Sequence, residues 1–304
     1  MKIDCIYIAC NKSDFYFAKI CMASIRYWNK NIPVFIIKDV SKGNFNTKEL
    51  ERFLDVKIAD TPFNKLGYYS KLFPFYNSAQ NKRVLILDAD TVWLCDMATL
   101  MEQYEEDFII DGYSPENVKE EMSKWYFTEP GFTQHYPYYQ YPGFLFNVGQ
   151  MLCNTNVITA KDLDPFVLWK ENPEPVIKNV FFYEQGILNY IIAQKILHNQ
   201  VSCRQVNFHL WGWDKRVDEI NIVDIQNKKG LPFLIHWYGN KKGLTSFLPG
   251  AKILSFYESY YFSMSKGKTL YQYACNLKRT IINFPAFVYE SGKAFYYLFK
   301  RKEN

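Results

Sequence analysis

Cysteine is scarce and scattered in this chain of 304 residues. Its seven cysteines, an odd number with no C-x-x-C pair, suit neither a disulfide framework nor a zinc site. A reducing compartment, the cytoplasm, is the expected location. Histidine is scarcer still, at four residues. Glycine and proline, at 14 and 13 residues, are too few for a collagenous or low-complexity chain, and no internal repeat stands out. Long apolar runs are also missing. The opening run Cys5-Ile6-Tyr7-Ile8-Ala9 is too brief and wrongly flanked for a signal peptide. The longest stretch without Asp, Glu, Lys or Arg runs from Pro130 to Ala160. Prolines, glycines and amides break it, so it is not a spanning helix.

Aromatic residues are abundant: 25 Phe, 24 Tyr and 7 Trp. Tyr and Trp join a flat apolar face to a polar edge, which suits carbohydrate surfaces as well as cores. Charge is unevenly placed. From Ala251 onward nine Lys/Arg face three Glu, giving +6 there, so the total of +5 leaves −1 on residues 1–250. The basicity belongs to the tail, which excludes a nucleic-acid groove across the body. Within that tail Val288, Ser291, Phe295 and Leu298 fall near helical spacing, beside Lys293 and Lys300-Arg301-Lys302. Basic residues flanking an aromatic–apolar face are what a peripheral helix needs at an anionic membrane surface.

The first forty residues read as a βαβ unit. An apolar run at Ile3–Ala9 precedes Phe17, Ile20, Cys21, Ser24, Ile25 and Trp28 at helical spacing, and a buried-type strand follows at Pro33–Ile37. A helix across Lys65–Asn77 and a strand at Arg83–Leu87 repeat the order. Further strands are expected at Phe108–Ile110, Phe144–Cys153 and Phe233–Ile235, with a helix near Glu184–Lys195. This alternation implies an α/β fold whose mostly parallel sheet is covered on both faces. Trp125–Tyr141 reads as a turn-rich aromatic loop, and 251–304 as a separate helical appendage.

Asp88-Ala89-Asp90 follows directly on the apolar run Val84–Leu87. Ligands of open α/β sheets bind outside the carboxyl ends of the strands. Two carboxylates one residue apart at such an end can grip a hard divalent cation, which in turn neutralises a diphosphate. A solvated turn would offer the same residues, so the surroundings decide. Lys71 lies upstream in Leu66-Gly67-Tyr68-Tyr69-Ser70-Lys71-Leu72. Downstream stand Phe146-Asn147-Val148-Gly149-Gln150-Met151-Leu152, Glu184-Gln185-Gly186-Ile187-Leu188-Asn189, and His236-Trp237-Tyr238-Gly239-Asn240-Lys241-Lys242.

In this order and spacing the set resembles the family 8 glycosyltransferases, the group of glycogenin and the bacterial lipopolysaccharide galactosyltransferases, over about residues 3–245. The resemblance implies a GT-A fold: a Rossmann-like mixed, mostly parallel sheet flanked by helices, with the helical appendage at the C-terminus. The chain then divides into a nucleotide-sugar-binding catalytic domain, 1–250, which the resemblance covers, and the basic tail, 251–304, which charge and composition mark off. It also implies a metal-dependent hexosyltransferase that uses a UDP-sugar and Mn²⁺, with Mg²⁺ as the alternative ion, and that transfers with retention. Asp88 and Asp90, with Ala89 between them, would hold metal and donor, and His236 would be the third metal ligand. Lys71 and Lys242 would meet the donor, with Gly239 giving backbone access. Asn147 would contact the sugar and Gln185, beside Glu184, would face its anomeric carbon. Ala9 and Asn11 would border the nucleoside, with Phe15 or Tyr16 stacking on the base.

The family's Asp before the Gln is replaced here by Glu184, and its Lys-Pro-Trp by Lys242-Gly243-Leu244. Expected acceptors are a glycan, a glycolipid or a lipid-linked sugar at the cytoplasmic membrane face, packed against the aromatic wall 125–141. Asp111 is a further candidate for the sugar hydroxyls. One rival reading is a sugar-phosphate nucleotidyltransferase, although Ala9-Cys10-Asn11-Lys12-Ser13 lacks the glycines of a phosphate loop. The other is a non-catalytic sugar-binding or scaffold protein.

Overall fold

A computed structural model describes residues 1–77, 81–238 and 248–264, with Leu277, Ile281 and Val288 as single positions beyond. The chain opens with β1 (Cys5–Asn11), α1 (Phe15–Trp28), β2 (Val34–Asp39), α2 (Lys48–Leu54) and β3 (Val56–Ile58). Next come α3 (Phe73–Tyr76), β4 (Arg83–Asp88), β5 (Thr91–Trp93), α4 (Met97–Met101) and β6 (Phe108–Tyr113). They are followed by α5 (Val118–Trp125), α6 (Gly131–His135), β7 (Leu145–Asn154), α7 (Ala160–Leu163), β8 (Val167–Leu168) and β9 (Glu174–Pro175). The last stretch holds α8 (Tyr183–Leu197), β10 (Cys203–Gln205), β11 (His209–Trp211), α9 (Lys215–Glu219), α10 (Ile222–Gln226), β12 (Leu234–His236) and α11 (Ala251–Ser263).

Seven strands form the main sheet in the order β10-β6-β7-β4-β1-β2-β3. Within it β7 runs antiparallel to both its neighbours, while the pairs around β1, β2 and β10 run parallel. Side chains alternate across a strand, so β4 sends Leu85 and Leu87 to the core under α1 and Val84 and Ile86 to the core under α8. Burial on both faces is why this strand reads as an unbroken apolar run. A smaller sheet, β11-β12-β5, continues from the end of β4. The mixed, mostly parallel sheet flanked by helices matches the expected fold class, and α11 is the helical appendage.

The expected strands are all present, shifted or extended by a few residues. The expected helix over 65–77 is not one helix. A 3₁₀ turn at Gly67–Leu72 leads into the short α3 instead. Pro74 sits in the first turn of α3 and has no amide to donate backward, so a continuous α-helical ladder cannot pass through it. The aromatic stretch 125–141 contains the end of α5 and all of α6.

Helix α11 packs along α1 and puts Ile253, Leu254, Tyr257, Tyr261 and Phe262 into the core. The Tyr257 hydroxyl donates to the Trp93 carbonyl (2.7 Å) and accepts from Trp28 Nε1 (2.8 Å). Gly250 precedes the helix in the left-handed region, φ 69°, where a Cβ would lie 2.4 Å from Val217 Cγ1. Among the described residues, no helix is long and apolar enough to cross a membrane.

Candidate functional site

Strand β4 ends at Asp88, and the turn Ala89-Asp90 swings the chain into β5. The Thr91 hydroxyl closes that turn by donating to the Asp88 carbonyl at 2.9 Å. Thr91 pairs with His236 across the antiparallel β5–β12 ladder, and the Trp237 amide donates to the Asp90 carbonyl at 3.0 Å. Two remote segments of sequence, 88–91 and 236–237, are thereby fixed around one point. His236 Nε2 lies 3.6 Å from Asp88 Oδ2 and 3.3 Å from Asp90 Oδ1. One ligand atom from each of the three residues falls within 4.8 Å of the others.

Asp90 and His236 are buried, and neither ring nitrogen of His236, a residue only 1% exposed, has a hydrogen-bond partner among the described residues. Two carboxylates held this close to a buried imidazole need a compensating charge. A divalent cation supplies one, and the mixed O,O,N donor set suits a first-row ion. Gly149 on β7 opens the space. A Cβ there would lie 2.5 Å from both Asp88 Oδ2 and His236 Cε1. The residues therefore fit a bound metal ion.

Around this cluster lies a cleft of about 700 Å³. Lys71 is buried in its wall, with Nζ 3.0 Å from Asp88 Oδ1 and 3.0 Å from Glu184 Oε1. Burial pushes the Lys71 ammonium down, but the two carboxylates outweigh it and hold its pKa above the ordinary value. Glu184 sits on the first turn of α8, and burial keeps its carboxyl above the usual range despite Lys71. Next to it, Gln185 Oε1 accepts from Asn147 Nδ2 (3.0 Å) and its Nε2 donates to the Trp125 carbonyl (3.2 Å). Asn189, one turn on, clamps α8 to β7 by hydrogen bonds to both the amide and the carbonyl of Phe146. At Gly186 a Cβ would meet the Tyr126 carbonyl at 2.1 Å, so only glycine lets that backbone approach.

Of the residues singled out in the sequence, Ala9, Asn11, Lys71, Asp88, Ala89, Asp90, Asn147, Glu184, Gln185 and His236 all line this cleft. Gly239 and Lys242 lie outside the described residues. Tyr16 does not line the cleft. Its hydroxyl donates to Glu258 Oε1 (2.9 Å) on α11, because the helical phase of α1 aims it at that helix. Phe15 packs on Phe45 instead. Asp111 is likewise engaged elsewhere: its carboxylate accepts from the Phe208 and His209 amides and lies 3.0 Å from His209 Nδ1.

The aromatic wall expected over 125–141 is largely core. Phe127, Phe132, Tyr136 and Tyr139 pack with Phe181 and Tyr190, Phe127 stacking on Phe132 at 3.9 Å, and Trp125 and Tyr126 alone of this stretch reach the cleft. Other rings take that place: Tyr68, Tyr183, Trp211, Trp213 and Tyr238. Tyr68 and Tyr183 stack at 3.6 Å, and Tyr183 holds a φ of 52°, a strained value for a bulky residue. Asp39, at the end of β2, is another lining residue the sequence did not flag; its carboxylate accepts from the Gly67 amide at 3.0 Å. Trp211-Gly212-Trp213 carried a legible signal in its two-residue spacing.

No family profile matches the chain, and no curated protein does. Solved structures do. The WbbM bifunctional glycosyltransferase is similar over 90% of this chain and 51% of its own, with a TM-score of 0.53 at 14% identity. GlyE from Streptococcus pneumoniae TIGR4 is similar over 84% and 60%, with a TM-score of 0.50 at 16% identity. The galactosyltransferase LgtC, solved with donor and acceptor sugar analogues, is similar over 88% and 98%, with a TM-score of 0.50 at 15% identity. This chain thus spans about half the length of the first and 60% of the second. The fold is the GT-A fold, with an acidic–histidine cluster at the carboxyl end of its fourth strand.

Proposed function

We propose that the chain is a metal-dependent glycosyltransferase of the family 8 type, moving a hexose from a UDP-sugar to a saccharide-bearing acceptor with retention. The observation that carries this reading is the Asp88–Asp90–His236 cluster at the floor of a cleft on a GT-A sheet. Manganese is the ion proposed, with magnesium the alternative; either would stabilise negative charge developing on the departing diphosphate. Asp88, Asp90 and His236 hold it.

Ala9 and Asn11 border the nucleoside, and Lys242 with the Gly239 backbone meets the diphosphate. Lys71 and Glu184 fix the position of Asp88 through one buried ion-pair chain. Asn147 orients Gln185, whose side-chain oxygen faces the anomeric carbon and steadies positive charge there. Gln185 is neutral and is no strong nucleophile, so the acceptor hydroxyl approaches on the face the leaving group vacates. In this reading 1–250 carries the chemistry and the basic tail 251–304, whose first helix α11 is packed on the core, meets an anionic membrane surface at the cytoplasmic face. The acceptor is then a glycan or a lipid-linked sugar.

The decisive measurement is UDP release across a panel of UDP-sugars with Mn²⁺, with Mg²⁺ and with chelator. One donor should turn over with metal and none without it. Asp88→Asn and Asp90→Asn should each lower turnover about a thousandfold or more, several kcal/mol of barrier, while circular dichroism stays unchanged. Turnover within about tenfold of wild type in either variant would overturn the reading.

A further inference from the structure

Beside the metal-binding cluster stands a ladder of rings. Trp211 ends β11 and Trp213 sits in the turn that follows it, so the two rings meet over that turn. Their centroids are 4.9 Å apart and their planes 4° from parallel. His236 stacks on Trp211 at 5.2 Å, and the Tyr238 ring meets Trp211 edge-on at 6.3 Å. The backbone beneath is fixed. The Gly212 amide donates to the His236 carbonyl (2.8 Å) and the Asp214 amide to the Trp211 carbonyl (2.9 Å). A Cβ at Gly212 would lie 2.5 Å from Trp237 Cδ1, so the chain passes too close for any other residue. Trp213 is nonetheless 57% exposed, and it lines the cleft. A rigidly held indole pair that lines a cleft, its outer ring facing solvent, offers a flat apolar face to a ligand.

A flat face takes either a nucleobase or the CH face of a pyranose, and the strand order separates them. Asp39, Ala9 and Asn11 end β2 and β1, on one side of Asp88 in the sheet. β11, with Trp211, is tied to the other side: Asp111 on β6 accepts from the Phe208 and His209 amides, and β6 stands beyond β7, across β4 from β1. With the nucleoside on the β1–β2 side, the ladder faces the opposite end of the reaction centre. We infer that Trp211 and Trp213, with Tyr238, form the acceptor subsite, and that the group bound there is a pyranose ring of a saccharide rather than a protein hydroxyl or a bare lipid alcohol. This rests on the sugar-transfer reading of the cleft.

The test uses the full chain and saturation-transfer NMR, with methyl hexosides, lactose and maltose as probes, both alone and with UDP and Mn²⁺. Wild type should transfer saturation from aromatic protons to the CH protons of at least one sugar. Trp213→Ala, which removes an exposed ring and no core contact, should weaken that sugar about tenfold, the worth of one stacked ring. Trp213→Phe should recover most of it. Calorimetric affinity for UDP with Mn²⁺ should stay within about twofold in both variants.

Unchanged sugar contact in Trp213→Ala, or no sugar contact in wild type, overturns the inference. So does an equal loss of UDP affinity, which would give the ladder to the base. Sugar contact through Trp213 in a protein that binds no UDP would sustain the saccharide subsite and overturn the transfer reading instead.

Discussion

At the scale of single residues, the candidate metal cluster depends on one position that has no side chain. Gly149 contributes its amide, donated to Asn147 Oδ1, and the absence of a side chain, for any Cβ there enters the space between Asp88 and His236. Gly149→Ala should therefore weaken Mn²⁺ binding about tenfold or more, the usual effect of disturbing groups that orient metal ligands. Calorimetry or manganese EPR would read it, and an unchanged affinity would show that the cradle yields freely. Lys71 poses the converse case, a charge that holds others in place. Lys71→Met would leave Glu184 buried without a partner and cost about 3 kcal/mol in denaturant unfolding. Adding Glu184→Gln should return most of that loss, because the deeply buried carboxylate is then gone and the partnerless Asp88 is partly exposed to water. A double variant no more stable than Lys71→Met would refute the pairing as the source.

Between elements, short polar clasps do what apolar packing alone does not. Asp107, just ahead of β6, accepts from the Ser202 amide and hydroxyl, both at 2.9 Å, and from Asn154 Nδ2 at 3.0 Å. It thus ties β6 to the start of the edge strand β10 and the end of β7. Partial burial raises its pKa, but these donors outweigh that and hold the carboxyl below its ordinary value. A depressed folded pKa stabilises above the unfolded value and is lost as pH falls through the folded one. Asp107→Asn should therefore cost about 1–2 kcal/mol near neutrality, and the gap to wild type should close as the pH drops below the ordinary carboxylate range. Stability curves at both pH values check this; a gap independent of pH would assign the loss to geometry rather than charge.

For the whole molecule, the uneven charge is the feature with the widest reach. The proposed membrane contact of 251–304 rests on its nine basic residues against three acidic ones. Each basic residue near an anionic surface contributes about 1 kcal/mol. The full chain should then co-sediment with anionic vesicles at low salt, leave them at high salt and ignore neutral ones. Replacing Lys300, Arg301 and Lys302 with Gln should weaken binding about a hundredfold. Failure of the full chain to bind anionic vesicles at low salt would end the proposal. Cutting the chain at Gly250 is the wrong comparison, because it would remove Ile253, Leu254, Tyr257, Tyr261 and Phe262 from the core.

The sequence by itself determined what is local. Apolar period marked the strands and α1 and α8, since burial on one or two faces writes itself into neighbouring residues. The pair Asp88 and Asp90 was legible as two carboxylates at one strand end, whereas His236 joined them only through the family resemblance. What those ends meet was not written locally. The same aromatic richness at 125–141 and at Trp211–Trp213 gave a largely buried cluster in one place and cleft-lining rings in the other. Tyr16 went to Glu258 and Asp111 to His209, partners 242 and 98 residues away. Helical phase and strand register fix such choices only once distant segments have packed, which is why Gly149 and Asp39 emerged from the tertiary structure alone.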